Sequence, residues 1–201
     1  MQKKVPAKAA KEWGSRRKRV RRVFPDRRSS ARLKPDRRHG PGRRKEDKIL
    51  LELLERKLSE TLREAEAGGP ENPRLATALN DLGVFYYAQG KYPEAEPFYK
   101  RALAIQEKLL KPTNPDVIQS LNNLAALYYV QGRYARAEPF LKRVLALQED
   151  VGGPDHPDVA QALENYAELL KAKGRHDEAK LTAARAKAIR AKNKRAKSAN
   201  Q

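Results

Sequence analysis

The side chains of this sequence that could perform acid–base, metal or phosphate chemistry are few and scattered. Three histidines, His39, His156 and His176, have no neighbours at the spacing of metal ligands. Cysteine is absent, which excludes disulfides, thiolate zinc sites and thiol catalysis. The pair Gly90-Lys91 lacks the upstream glycine and the following Ser or Thr of a phosphate-binding loop. The sequence therefore predicts no catalytic residue, no metal site and no cofactor, and a protein that is not an enzyme.

Basic side chains are the most concentrated chemical feature of the chain, which has 201 residues and a formal net charge of +19. Residues 1–48 carry 20 basic and 5 acidic side chains, residues 49–183 carry 17 and 20, and residues 184–201 carry 7 and none. The excess positive charge thus belongs to the two ends of the chain. The middle is mildly acidic and has the composition of an ordinary folded domain.

Residues 1–46 are predicted to form a disordered Lys/Arg-rich tail, because proline and clustered charge leave few apolar side chains to bury. Two interpretations of this tail stay open. It is either a solvated spacer or an arm that binds polyanions, since arginine offers forked donors to phosphate groups. Residues 191–201 form a second basic tail. The candidate polyanion-binding residues are Arg16, Arg17, Lys18, Arg19, Arg21, Arg22, Arg27, Arg28, Arg37, Arg38, Arg43 and Arg44.

Targeting and membrane signals are not evident in the sequence. The longest uncharged apolar run, Leu124 to Val130, is far shorter than the roughly 18 residues that span a bilayer. The basic N-terminus is not followed by the apolar segment of a signal peptide. We therefore expect a cytoplasmic protein, or a nuclear one if the source has a nucleus. Trp13 and Phe24 could stack on nucleic-acid bases, and Trp13 could equally lie at a membrane interface.

An internal repeat organises the middle of the chain. Residues 72–113 and 114–155 are identical at 21 of 42 positions without a gap, and residues 156–197 match the second copy at 13 positions. Repeats of this length form stacked arrays, because one unit cannot bury its own apolar surface. The predicted units are repeat 1 (72–113), repeat 2 (114–155) and an atypical, capping repeat 3 (156–190).

Each copy contains two amphipathic helical patterns separated by a turn. In copy two, Asn114-Pro115 provides a helix cap and first residue, and Gly132 marks the end of the first helix. A further helical pattern over 47–69 is predicted to be a capping helix or a degenerate half-repeat. In copy three, Thr182, Ala183, Ala186 and Lys187 replace larger apolar residues, which predicts a solvated last helix. Glu94 and Glu96 are explained by the preference of a helix N-terminus for negative charge.

The copies resemble tetratricopeptide repeats, in particular the 42-residue type found in kinesin light chains. The resemblance covers about residues 72–190. It rests on residue types that recur at equivalent positions of the aligned copies, and we call each such position a column. The first helix has a leucine column followed by a small residue, and then an aromatic column. A turn glycine with a following aromatic residue comes next, and an alanine lies in the second helix. In copy two these are Leu124, Ala125, Tyr128, Gly132, Tyr134 and Ala137. Copy three departs from the pattern, with Tyr166 in the leucine column, Leu170 in the tyrosine column and His176 after the glycine.

This resemblance implies an all-α array of helical hairpins, an α-solenoid, whose first helices line a concave groove that binds a peptide or helix of a partner protein. Asparagine in such a groove could bind a peptide backbone through both its donor and its acceptor, or could instead bridge neighbouring repeats. We favour groove contact for Asn80 and Asn122. The implied groove residues are Thr77, Asn80, Val84, Tyr87, Gln119, Asn122, Ala126, Tyr129, Gln161, Glu164, Glu168 and Lys171.

The sequence thus predicts a non-enzymatic interaction scaffold, with a groove that is neutral at one end and acidic at the other. The basic tails would add electrostatic attraction to acidic surfaces. The alternative is a protein that acts mainly through those tails, on nucleic acid or on an anionic membrane.

Overall fold

Seven helices and no strand make up residues 41–199, the part of the chain that the computed structural model describes. They form an α-solenoid, as the repeat predicts. In order they are α1 (Pro41–Ala67), α2 (Pro73–Ala88), α3 (Tyr92–Leu109), α4 (Pro115–Val130), α5 (Tyr134–Gly152), α6 (Pro157–Ala172) and α7 (His176–Ala199). Within this region no helix is both long and apolar enough to span a membrane.

Local signals set the helix boundaries in all three copies. The first helices α2, α4 and α6 begin after Asn72, Asn114 and His156, whose side chains accept a hydrogen bond from the backbone N–H two residues on. Each then starts with proline, which is preset for the first helical position. The turn glycines Gly90 and Gly132 have φ of 76° and 72°, a conformation that residues with a Cβ rarely adopt.

Three apolar clusters run through the array. The largest is centred on repeat 2, where Leu121, Leu124 and Leu141 are essentially inaccessible to solvent. A second cluster joins α1 to repeat 1 around Leu75 and Leu79. The third holds α6 against α7. The first two clusters each join neighbouring hairpins, and Leu145 of α5 packs against both the first and the third cluster.

Both ends of the array differ from the expectation. Helix α1 begins at Pro41 and not at residue 47, so the last part of the predicted tail is helical. Helix α7 continues to Ala199 and includes most of the predicted C-terminal tail. The expectation of a solvated last helix is wrong for Ala186, which is 1% exposed and packs with Ile189 against α6. A small side chain is buried there because α6 and α7 approach closely.

Candidate functional site

The first helices of the three copies form one continuous face of the array. Asn80 of α2 and Asn123 of α4 join their side-chain amides directly, at 2.8 Å. The second helices are bridged instead by long side chains, such as Arg101 to Glu66 at 2.7 Å and Arg185 to Glu149 at 2.5 Å. Asparagine side chains thus suffice to join α2 and α4, whereas these second helices are joined through arginine and glutamate, so the first helices form the more closely spaced side of the stack. We call this side the inner face.

The predicted groove residues differ in their exposure. Thr77, Gln119, Glu168 and Lys171 are exposed, and Ala126 is buried. The remaining members are partly buried, as expected for side chains that line a concave surface. They are Asn80, Val84, Tyr87, Asn122, Tyr129, Gln161 and Glu164.

A chain of amides organises the inner face between repeats 1 and 2. Gln119 donates from Nε2 to Oδ1 of Asn123 at 2.9 Å, and Asn123 donates from Nδ2 to Oδ1 of Asn80. The sequence left two roles open for asparagine, groove contact and inter-repeat contact. Asn80 makes the inter-repeat contact, because its Oδ1 accepts the hydrogen bond from Asn123. In copy three, Gln161 donates from Nε2 to Oδ1 of Asn165 at 3.3 Å, which is the equivalent of the Gln119–Asn123 hydrogen bond. Asn122 differs, because its Oδ1 is buried and has no hydrogen-bond partner.

Aromatic pairs lie where the first helices end. The rings of Tyr87 and Tyr92 are 5.5 Å apart, and those of Tyr129 and Tyr134 are 5.4 Å apart. Burial raises the pKa of Tyr87 to about 12, so this phenol stays neutral throughout the physiological range. The inner face therefore offers neutral aromatic and amide groups over repeats 1 and 2.

The acidic end expected for the groove is not a free acidic surface. Arg190 of α7 donates to Oε2 of Glu164 at 2.7 Å and to Oε1 of Gln161 at 3.2 Å. This contact neutralises Glu164 and occupies Gln161, two of the predicted groove residues. Glu164 belongs to α6 and Arg190 lies 26 residues later, so no local pattern in the sequence indicates the pair.

Clusters of tyrosine, glutamate and basic residues join successive repeats, and sequence reasoning did not identify them. Tyr128 donates its hydroxyl to Oε1 of Glu96 at 2.9 Å, and Glu96 also pairs with Lys100 and Arg133. These contacts, with the Lys100 hydrogen bond the strongest, lower the pKa of Glu96. Preference for a helix N-terminus is thus an incomplete explanation of Glu96, which bridges repeat 1 to repeat 2.

The cluster recurs between repeats 2 and 3 with one displaced residue. Glu138, 42 residues after Glu96, pairs with Lys173, with Arg175 at 2.9 Å and with Lys142 at 3.0 Å. Tyr166 donates its hydroxyl to the same carboxylate at 3.2 Å. Tyr166 therefore makes in copy three the contact that Tyr128 makes in copy two. The tyrosine has moved one turn earlier in the helix, which explains the departure of copy three from the aromatic column.

The Glu138 cluster makes stability depend on pH in acid. Hydrogen bonds from Lys173, Lys142 and Arg175 lower the pKa of Glu138 from 4.5 to about 2. A depressed folded-state pKa contributes stability that is present above pH 4.5 and is lost as the pH falls towards 2. We expect Glu138→Gln to lower the free energy of unfolding by about 1–2 kcal/mol at pH 6, after allowing for the partly exposed cations.

Urea denaturation of both proteins between pH 6 and pH 3 measures this effect. The difference between wild type and Glu138→Gln should shrink by more than half by pH 3, since the wild-type carboxylate is then losing its advantage. Glu168→Gln, which removes an exposed carboxylate of α6, is the control and should show a much smaller difference. A Glu138→Gln difference that stays constant over this range contradicts the prediction.

The predicted polyanion-binding arms are only partly within the described region. Arg16, Arg17, Lys18, Arg19, Arg21, Arg22, Arg27, Arg28, Arg37 and Arg38 lie outside it, and Arg43 and Arg44 are in α1. At the other end, Arg185, Arg190 and Lys192 form ion pairs with Glu149, Glu164 and Asp155. Three of the seven C-terminal cations are thus engaged within the fold. Among the described residues, no group of acidic or histidine side chains could hold a metal ion.

Comparison with known proteins supports the repeat assignment. A family model for the tetratricopeptide repeat matches residues 55–108, 74–150 and 116–192, which together cover more than half of the chain. No curated protein matches the chain.

Two solved structures illustrate the likeness in three dimensions. The crystal structure of BtubC (BKLC) from P. vanneervenii matches with a TM-score of 0.66 and 29% identity, covering 72% of this chain and 58% of that one. This chain therefore spans little more than half of that protein. A putative kinesin light chain from Podosopora anserina, with nearly identical repeats, matches with a TM-score of 0.65 and 24% identity over 83% of both chains.

Proposed function

The chain belongs to the tetratricopeptide repeat family, whose repeats generally mediate protein–protein interaction, and on that premise we propose that its inner face binds a short segment of a partner protein. The protein would act as a non-catalytic adaptor. Its basic arms would raise the rate of encounter with acidic partners, and the inner face would supply specificity.

The observation that carries this proposal is the set of partly exposed amide and tyrosine side chains on the inner face of repeats 1 and 2, namely Tyr87, Asn122 and Tyr129. An amide can contact the backbone of a peptide whatever its side chains are. Tyr87 and Tyr129 lie near the ends of α2 and α4, about two turns beyond Asn80 and Asn122, and offer apolar surface with low conformational cost.

The partner segment is expected to be short and mostly neutral. Repeats 1 and 2 provide the amide and aromatic positions, whereas Arg190 occupies Gln161 and Glu164 in repeat 3. A basic residue of a partner would have to compete with this internal arginine. We therefore propose a segment that spans two repeats and carries an aromatic or aliphatic anchor, and not one chosen mainly by positive charge.

Selection of peptides from a random displayed library against the full-length chain, followed by titration, tests the proposal. We expect Asn122→Ala and Tyr129→Ala each to weaken binding of the selected peptides about tenfold, which corresponds to about 1.4 kcal/mol. Asp150→Ala, at an exposed position of the second helix α5, is the matched control and should bind normally. Thermal melting of each variant separates loss of binding from loss of folding.

Unchanged affinity in both inner-face variants would rule the proposal out. A salt series in the same assay separates the competing role of the arms. Binding that falls steeply with salt, and that Asn122→Ala leaves unaltered, would instead indicate a protein that acts on polyanions through its basic ends.

A further inference from the structure

The N-terminal part of helix α1 carries a cluster of exposed aliphatic side chains. Ile49, Leu50, Leu51 and Leu53 are 55%, 53%, 41% and 58% exposed. The other exposed large apolar side chains of the described region lie singly, one each on α3, α5 and α7. Aliphatic residues that are this exposed and this close together mark an interaction surface when nothing in the fold requires them.

The array leaves this cluster uncovered because α1 is longer than the helix beside it. Asn72 donates from Nδ2 to the backbone oxygen of Ala65, and Tyr86 donates its hydroxyl to Glu55, so α1 and α2 run antiparallel. Helix α2 ends at Ala88, only two residues after Tyr86. The N-terminal end of α1 therefore extends past the end of α2.

The stack of hairpins gives no reason for aliphatic residues at these positions. Glu55 makes in α1 the contact to tyrosine that Glu96 makes in α3, which is an offset of 41 residues. At that offset Leu53 corresponds to Glu94, which is exposed. Residues 49 and 50 correspond to the turn that precedes α3. The cluster is thus a feature of α1 alone and not a remnant of the repeat core.

Three members of the cluster turn away from the array. Glu55 hydrogen-bonds to α2 and Glu66 forms an ion pair with α3, so these glutamates mark the side of α1 that faces the other helices. At about 100° per residue, the three members lie roughly 100–160° around the helix from both glutamates. They are Ile49, Leu50 and Leu53, which we call the α1 patch. Leu50 lies at its edge, because it also begins the leucine stripe that packs on the array further along the helix.

The chain immediately before the α1 patch is strongly basic. Residues 1–48, which we call the basic segment, carry 20 basic and 5 acidic side chains, and six of the seven residues 16–22 are basic. Trp13 and Phe24 stand on either side of that run. The attraction of such a segment to an anionic surface depends on its net charge and its nearness, and it needs no fixed side-chain geometry. Positive charge and exposed aliphatic surface are therefore adjacent in this protein.

An anionic lipid bilayer is the partner that matches both features. Its headgroups carry negative charge, and hydrocarbon lies directly beneath them. Nucleic acid matches the charge, but its phosphate backbone offers no apolar surface to isoleucine and leucine. A second copy of this chain could cover the α1 patch, but it would bring two strongly basic segments together.

We propose that this protein binds peripherally to anionic bilayers, with the α1 patch in the boundary between headgroups and acyl chains and the basic segment on the lipid headgroups. One weak signal gives only marginal, reversible binding, whereas an apolar anchor combined with a polybasic segment gives stable binding. Helix α1 lies in the plane of the bilayer, and the array is on its other side. The inner face is then held near a membrane, whatever partner it binds.

Flotation of the full chain with lipid vesicles tests the proposal. We expect binding to phosphatidylcholine vesicles that contain about 30% phosphatidylserine, and at least about tenfold weaker binding to phosphatidylcholine alone. The double variant Ile49→Gln with Leu53→Gln keeps the net charge, and it should bind the anionic vesicles about tenfold more weakly. Leu181→Gln, at a 73% exposed position of α7, is the matched control and should bind like wild type.

A fluorescent label identifies the inserted surface, because the chain has no cysteine of its own. An environment-sensitive fluorophore on Leu53→Cys should shift to shorter wavelength when anionic vesicles are added, and the same label on Leu181→Cys should not. Circular dichroism confirms that each variant keeps its helix content.

Three results would overturn the proposal. If the double glutamine variant floats like Leu181→Gln, the charge acts without the α1 patch. If wild type binds double-stranded DNA more tightly than anionic vesicles at the same salt concentration, the basic segment serves nucleic acid. If the label on Leu53→Cys shifts with protein concentration in the absence of vesicles, the α1 patch is covered by a second copy of the chain.

Discussion

Leu121→Ala is expected to lower the free energy of unfolding by about 2–5 kcal/mol. Leu121 is fully buried at the centre of the largest cluster, and repeat 2 supports the interfaces on both of its sides. In a stack, the loss of a central side chain weakens more than its own hairpin. For a chain of this size the melting temperature should fall by roughly 5–15 °C, at about 3 °C per kcal/mol.

Leu181→Ala provides the control for this experiment, because Leu181 is 73% exposed on α7. Thermal and urea unfolding of both variants should separate them clearly, with Leu181→Ala close to wild type. If the two variants melted at similar temperatures, our assignment of repeat 2 to the centre of the core would be wrong.

Gly83→Ala is expected to destabilise the protein by about 1–2 kcal/mol, although alanine is the better helix former by about 1 kcal/mol. Gly83 is buried in α2, where an added Cβ would lie 2.6 Å from Cδ1 and Cε1 of Tyr99. Tyr99 is itself only 2% exposed, so its ring has little room to move. Overpacking should therefore outweigh the gain in helix propensity.

The sequence of copy two supplies the compensating change. There Ala125 and Leu141 occupy the positions of Gly83 and Tyr99, so the small and large residues vary together. We expect Tyr99→Leu to recover most of the stability in the Gly83→Ala background, measured as the free energy of unfolding in a double-mutant cycle. Two strictly additive effects would show that the methyl group and the ring do not compete for space.

Repetition made much of the fold predictable. The Asn-Pro starts, the turn glycines and the apolar stripes of copy two predict α4 and α5, and the structure places both helices there. The ends of the array were less predictable, because each end helix has a neighbouring repeat on one side only. Pro41 begins α1 although glycine, proline and charge surround it, and α7 extends through a stretch with few large apolar residues.

The candidate site was predictable as a face but not as a set of contacts. From the sequence, groove contact was favoured for Asn80 over an inter-repeat contact, and only the 2.8 Å hydrogen bond from Asn123 shows that Asn80 joins two repeats. Tyr166 departs from its column and yet reaches Glu138. Spacings of 42 residues, shared by Glu96 and Glu138 and by Arg133 and Arg175, were a usable signal for these clusters.

Sequence alone determined the all-helical class, the 42-residue repeat and the division of charge between the ends and the body. These properties follow from spacing and composition within a few turns of helix, where period and capping act locally. Tertiary structure decided which side chains meet, such as Glu96 with Tyr128 and Arg190 with Glu164. Such contacts join residues about 30 positions apart, so they depend on how the hairpins stack and curve.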